Sequence, residues 1–155
     1  SGWSRGSLLN YCIGQGELLV TPMQVFNYTN LLATKGIAHK PHFVKNKALV
    51  KTDTLKISND IWDKITNDME KVISDDKGTG KGADPLNVNA KVFGKTGTAE
   101  NPHGEDHAWF IGWMKYYEKN FSIIVLLENS GSGGAVAAPI AKNIFDKIIN
   151  FTNNI

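Results

Sequence analysis

The chain carries a single cysteine, Cys12, among its 155 residues, which excludes an internal disulfide framework. No basic neighbour favours its thiolate, so Cys12 is expected to be a small buried hydrophobe. Runs of like charge are also absent. The 17 basic and 15 acidic residues are spread along the chain for a net charge of +2, which leaves no electrostatic footprint for nucleic acid or a membrane surface. The longest apolar stretch, Ile123 to Leu127, is far too short to span a bilayer, and no charged-then-apolar leader opens the chain. The chain is therefore expected to be soluble. An opening at Ser1-Gly2-Trp3, followed by strong internal motifs, suggests a piece cut from a longer protein. What is present, 41% hydrophobic and 21% charged residues, suits one globular domain with a real core. No internal repeat occurs.

Residues 1 to 20 read as loop and extended chain around Gly14-Gln15-Gly16. Thr21 then caps a helix with Pro22 at its first position, and Met23, Val25, Phe26, Leu31 and Leu32 fill one face before Lys35-Gly36 stops it. The stretch from Ile37 to Ile57 reads as irregular to extended, broken by Pro41. A second helix begins at Ser58, Asn59 or Asp60, with Ile61, Ile65, Met69 and Val72 at helical spacing. Glycine, proline and charge make residues 74 to 89 a mobile linker. Three strands follow, Ala90 to Glu100, Ala108 to Lys115 and Phe121 to Glu128, whose short connections favour antiparallel hairpins. Gly131-Ser132-Gly133-Gly134 ends the sheet. A last helix runs from Pro139 to Phe151 with Ile140, Ile144, Phe145 and Ile148 on its buried face.

The stretch Val92 to Glu100 is the richest in chemistry. Lys95, Gly97 and Ala99 alternate with Thr96 and Thr98, so ammonium and hydroxyls share one strand, and Gly97 allows close approach to the backbone. That is equipment for gripping an anion. Several literal motif matches fail on context. Gly2-Trp3-Ser4-Arg5-Gly6 copies a nucleophile elbow, but only Ser1 stands where a strand must precede it. Gly94-Lys95-Thr96 resembles the end of a phosphate-binding loop, yet Asn89 stands at its first glycine and no helix follows. His103, Glu105, Asp106 and His107 gather possible metal ligands without the partner Pro-Cys-x-x-Cys, and read as a polar hairpin loop. His39 and His42 flank Pro41 and read as surface residues. Ser74-Asp75-Asp76-Lys77 is a literal Ser-x-x-Lys, but it leaves a helix for a glycine tract, where serine and lysine cannot share a helical face. Tyr28-Thr29-Asn30, a Tyr-x-Asn, lies on the wrong side of it.

Lys-Thr-Gly is one of three separated elements of the penicillin-binding protein and serine β-lactamase signature, beside Ser-x-x-Lys and Ser-x-Asn. Three further blocks carry the resemblance: Gly14-Gln15-Gly16-Glu17 through Gln24, His107-Ala108-Trp109-Phe110-Ile111-Gly112-Trp113, and Leu126-Leu127-Glu128-Asn129. In this order the chain resembles the C-terminal part of the transpeptidase domain of a class B penicillin-binding protein, of the penicillin-binding protein 2 type. The resemblance implies an α/β fold of the α+β kind, an antiparallel sheet packed by helices, with residues 1–155 a single partial domain. It implies a D,D-transpeptidase that acts on peptidoglycan stem peptides and is trapped by β-lactams, with no cofactor, no metal and no nucleic acid. Lys95 would then be the catalytic lysine that orients a proton-relay hydroxyl. Thr96, Gly97 and Thr98 would bind substrate, the two hydroxyls on its carboxylate and the Thr98 N–H in the oxyanion hole.

The serine and Ser-x-Asn elements of the family belong upstream of Gly14, so this chain is expected to hold no nucleophile and to be inactive alone. Absent neighbours would also leave Phe121 to Glu128 with an open edge and favour self-association. The parent protein is expected in the bacterial inner membrane, with its catalytic domain outside the cytoplasm. The alternatives are a β-lactamase-like or β-lactam-sensing domain, and a noncatalytic cell-wall interaction module.

Overall fold

A computed structural model describes residues 4–16, 18–44, 48 and 50–154. Gly2 and Trp3 of the elbow-like pattern and Glu17 of the Gly14 block lie outside them. The chain forms α1 (Arg5–Cys12), α2 (Pro22–Ala33), β1 (Ile37–His39), β2 (Lys51–Thr54), α3 (Asn59–Ser74), β3 (Ala90–Ala99), β4 (His107–Tyr116), β5 (Lys119–Leu127) and α4 (Ala138–Asn153).

The centre is an antiparallel sheet in the order β3-β4-β5. In its register Val92 faces Met114, Thr96 faces Phe110 and Thr98 faces Ala108, while Phe110 in turn faces Val125. Cross-strand partners share a face, so the sheet sorts its side chains cleanly. One face carries Val92, Phe110, Met114, Ile123 and Val125 against Ala138, Ala141, Phe145 and Ile149 of α4. The other carries Phe93 and Trp113, stacked at 4.9 Å between ring centroids, against Leu32 of α2 and Trp62 and Met69 of α3. Helices thus cover both faces of a sheet whose outer edges, on β3 and β5, pair with no further strand among the described residues.

Local chemistry sets most boundaries. The Thr21 hydroxyl accepts from Gln24 N–H while Gln24 Oε1 accepts from Thr21 N–H, a reciprocal cap on α2 with Pro22 at its first position. Ser58 stands at the N-terminal boundary of α3, as the pattern places it.

Four expectations are corrected. Residues 5–12, expected as loop, form α1, because the Ser4 hydroxyl accepts from Ser7 N–H and caps the turn. Cys12 is exposed rather than buried, since α1 presents no buried residue to the core. The helical stripes are rotated. Trp62, Met69 and Ile73 are the buried residues of α3 and Ile61 is 49% exposed, while Ile144 of α4 stays outside and Phe145 goes in. Finally, residues 74–89 pack against the domain: Gly80 N–H donates to Val72 O at 2.9 Å, and a short 3-10 turn, Lys81–Ala83, buries Ala83. The segment 37–57 is extended as expected, with β1 and β2 pairing antiparallel across a bulge at Ala38/His39.

Candidate functional site

Strand alternation puts Lys95 and Gly97 on the α2/α3 side of β3, and Thr96 and Thr98 on the α4 side. The site is therefore not a flat patch on one face. It wraps around the open edge of β3. Lys95 bridges the two sides, because its flexible stem brings Nζ round to donate to the carbonyl of Thr96. It pairs with no carboxylate among the described residues.

The next carbonyl along the edge is held differently. Gln15 Nε2 donates to Thr98 O at 3.2 Å, and Glu100 N–H donates to Gln15 Oε1 at 3.3 Å. One side-chain amide thus takes the place of a neighbouring strand. Its reach depends on the two glycines beside it: Gly14 and Gly16 both have φ of +77°, a left-handed conformation that other residues adopt at a cost. Gln15 N–H in turn donates to Asn10 O and ties the turn to the end of α1.

An extended residue points its N–H and C=O to the same edge. With the Thr96 and Thr98 carbonyls turned to Lys95 and Gln15, the Thr98 N–H opens outward between an ammonium and a donating amide. Both flanking carbonyls are capped by donors, so the local field favours an anion. The geometry suits a carboxylate or a developing oxyanion.

The two hydroxyls differ. Thr98 is exposed, and its Oγ1 accepts from Gly133 N–H at 3.4 Å, which leaves its own proton free to be donated. Gly133 reaches this position only as glycine, because a Cβ there would stand 2.2 Å from Trp109 O and 2.3 Å from Gly97 O. Thr96 is 9% exposed, and its Oγ1 lies 2.7 Å from Thr79 Oγ1. The structure thus brings Lys95, Thr96, Gly97 and Thr98 together with three residues that carried no role in the motif: Gln15, Thr79 and Gly133. Gln15 was visible only as part of a block, and Thr79 and Gly133 only as members of glycine tracts.

The decoy motifs lie elsewhere. Ser74 is the last residue of α3, and Lys77 follows in a turn where its N–H donates to Asp75 Oδ1. Between β3 and β4, His107 Nδ1 accepts from Asn129 N–H at 3.0 Å, and Asn101 Nδ2 donates to Asn129 Oδ1 at 2.6 Å. These bonds bind the loop to the end of β5, and no three His, Cys, Asp or Glu side chains converge among the described residues. A hollow of about 530 Å³, lined by Met23, Phe26, His39, Phe43, Phe121 and Ile148, is set apart from the β3 edge.

The sequence profile of the family described as penicillin binding protein transpeptidase domain matches residues 1–146. The peptidoglycan D,D-transpeptidase MrdA of Haemophilus influenzae is 30% identical, over 96% of this chain and 26% of the relative. The peptidoglycan D,D-transpeptidase PbpA of Mycobacterium tuberculosis is 31% identical, over 86% of this chain and 30% of its own length. The chain thus spans only about a quarter to a third of these curated relatives. Among solved structures, penicillin-binding protein 2 of Pseudomonas aeruginosa in complex with WCK 5153 superposes with a TM-score of 0.81 at 30% identity, covering 95% of this chain and 34% of that one. Penicillin-binding protein A of M. tuberculosis, as its imipenem acyl-enzyme complex, gives 0.73 at 26% identity, over 94% of this chain and 34% of that one.

Proposed function

The chain belongs to the penicillin-binding protein transpeptidase domain family, of the class B penicillin-binding protein 2 type, and from that premise we propose that it is the Lys-Thr-Gly-bearing part of a peptidoglycan D,D-transpeptidase. One observation carries this most directly. The open edge of β3 presents an ammonium paired with no carboxylate among the described residues beside an outward N–H flanked by donors.

In the proposed reaction a serine supplied from outside this chain attacks the carbonyl of a D-alanyl-D-alanine terminus. Negative charge then develops on the carbonyl oxygen. The Thr98 N–H is one donor to it, and removal of such a donor typically costs about 3 kcal/mol of transition-state stabilisation. The Lys95 ammonium lowers the energy of the anionic substrate and orients the hydroxyl that relays the proton to the leaving amine. Thr98, whose proton is free, donates to the substrate carboxylate, with Thr96 next to it. The acyl group passes to an amine of a neighbouring stem peptide, and β-lactams acylate the same serine. On this reading the parent protein belongs in the bacterial inner membrane, with this domain outside the cytoplasm, where its peptidoglycan substrate lies.

The isolated chain lacks the nucleophile in this account, because Ser74 and Lys77 share no helical face. Labelled penicillin tests both parts. The full-length protein should form a stable adduct, with Lys95→Ala slowing acylation at least about 100-fold, and the 155-residue chain should form none. Failure of the full-length protein to label would overturn the transpeptidase assignment. An adduct on the isolated chain at Ser74 would overturn the claim that the nucleophile lies elsewhere.

A further inference from the structure

The segment after α3 holds one side chain against the site strand. Thr79 Oγ1 lies 2.7 Å from Thr96 Oγ1, across seventeen positions of sequence. Its backbone is fixed from two directions. A Cβ on Gly78 would stand 2.4 Å from Val72 O in the last turn of α3, and one on Gly134 would stand 2.5 Å from Thr79 O. Only residues without a side chain allow these approaches. Thr79 is thereby wedged between the end of α3 and the turn that leads into α4, with its hydroxyl aimed at the middle residue of Lys95-Thr96-Gly97.

Each hydroxyl has one proton and two lone pairs. The bond between them uses one of the two protons, and either oxygen can supply it. A bound anion removes that freedom. Lys95 Nζ sits on the Thr96 carbonyl, so an anion drawn to the edge settles beside Thr96. If Thr96 gave its proton to Thr79, it would turn lone pairs towards that anion. If Thr79 gives its proton to Thr96, the Thr96 proton is available for the ligand, and the two bonds polarise each other.

We propose that Thr79 is a positioning residue for carboxylate recognition, which donates to Thr96 so that Thr96 donates to the ligand. The proposal rests on the assignment of the β3 edge to substrate-carboxylate binding and names the residue that sets its selectivity. Thr79 does not touch the ligand. Its effect should appear where the ligand is charged, because hydrogen bonds to an ionised acceptor are roughly twice as strong as neutral ones.

The test compares acylation of the full-length protein by a penicillin and by the methyl ester of that penicillin. The wild type should prefer the free acid. Thr79→Val keeps the shape and removes the hydroxyl, and should lower the acid-to-ester ratio of acylation rates by about tenfold. Thr79→Ser should retain the wild-type ratio. Both rates are read on one preparation, so the folded fraction cancels, and Thr79→Ala supplies the same deletion if the valine variant folds poorly. Equal losses for acid and ester, or an unchanged ratio, would overturn the role of Thr79 and leave carboxylate binding standing. A wild type that acylates acid and ester alike would overturn both, before any variant is made.

Discussion

Gln15 uses both ends of its amide on one strand edge, accepting from Glu100 N–H and donating to Thr98 O. At 3.2 and 3.3 Å these are long bonds, so each belongs at the lower end of the usual net contribution of about 0.5–1.5 kcal/mol. Gln15→Glu keeps the acceptor and replaces the donor with an oxygen that faces the Thr98 carbonyl. It should destabilise the chain by about 1–2 kcal/mol and speed hydrogen exchange at the Glu100 amide. Unchanged exchange there would show that the clasp is not held in solution. The sequence shows loop and extended chain around Gly14-Gln15-Gly16, and the structure makes of it a turn after α1 with two left-handed glycines. The partner of that turn is more than eighty residues away, and no local pattern encodes it. Thr79 was hidden for a similar reason: glycines that look like flexibility in sequence are, in the structure, the condition for close packing. Cys12 erred in the opposite direction. Leu8, Leu9 and Ile13 near it are exposed as well, since no residue of α1 is buried.

Helices α2, α3 and α4 and the hairpins of β3, β4 and β5 were legible to within a residue or two, since caps, glycines and hydrophobic period act locally, whereas α1 was read as loop and the β1–β2 pairing went unseen. Which residue of a stripe goes inside is decided by the surface opposite. In α3 the flat Phe93–Trp113 stack takes Trp62 into the core at 3% exposure, and the helix turns Ile61 outward. Trp62→Ala should therefore cost about 3–5 kcal/mol, whereas Ile61→Ser should stay within about 0.5 kcal/mol. Urea unfolding of the two variants checks the contrast, and equal losses would place the stripe wrongly. The turn after α3 has an electrostatic feature of its own. Asp76 is held below its ordinary carboxylate value of 3.8 by its hydrogen bond to Lys81 and by the charge of that lysine. A depressed carboxyl contributes stability that is present above its unfolded value and is lost as pH falls through the folded one. Asp76 is 96% and Lys81 58% exposed, so Asp76→Asn should leave the unfolding midpoint at neutral pH nearly unchanged. A large shift at neutral pH would show a tighter pair than this geometry provides.

At the scale of the whole molecule, the core is sound around β3, β4 and β5 and thin elsewhere. Ile13, Leu19, Phe43, Val88 and Phe151 are all largely exposed, and α1 buries nothing. Exposed apolar surface of this kind is normal when scattered, but a contiguous patch marks an interaction surface or an aggregation hazard. Ile13 and Leu19 lie on the short stretch that leads from α1 to α2, and that stretch also holds Gln15 against the site. Two sheet edges, on β3 and β5, pair with no further strand among the described residues, and the net charge of +2 supplies little repulsion between copies. The isolated 155-residue chain should accordingly self-associate, with an apparent mass by light scattering that rises with concentration. Charge placed on the exposed stretch separates this cause from general instability. Ile13→Glu together with Leu19→Glu should lower the association while leaving the free energy of unfolding within about 0.5 kcal/mol of the parent chain, as for other surface substitutions. A clean monomer at every concentration would remove the exposed surface as a driving force, and undiminished association of the double variant would shift the cause from α1–α2 to the edges of β3 and β5.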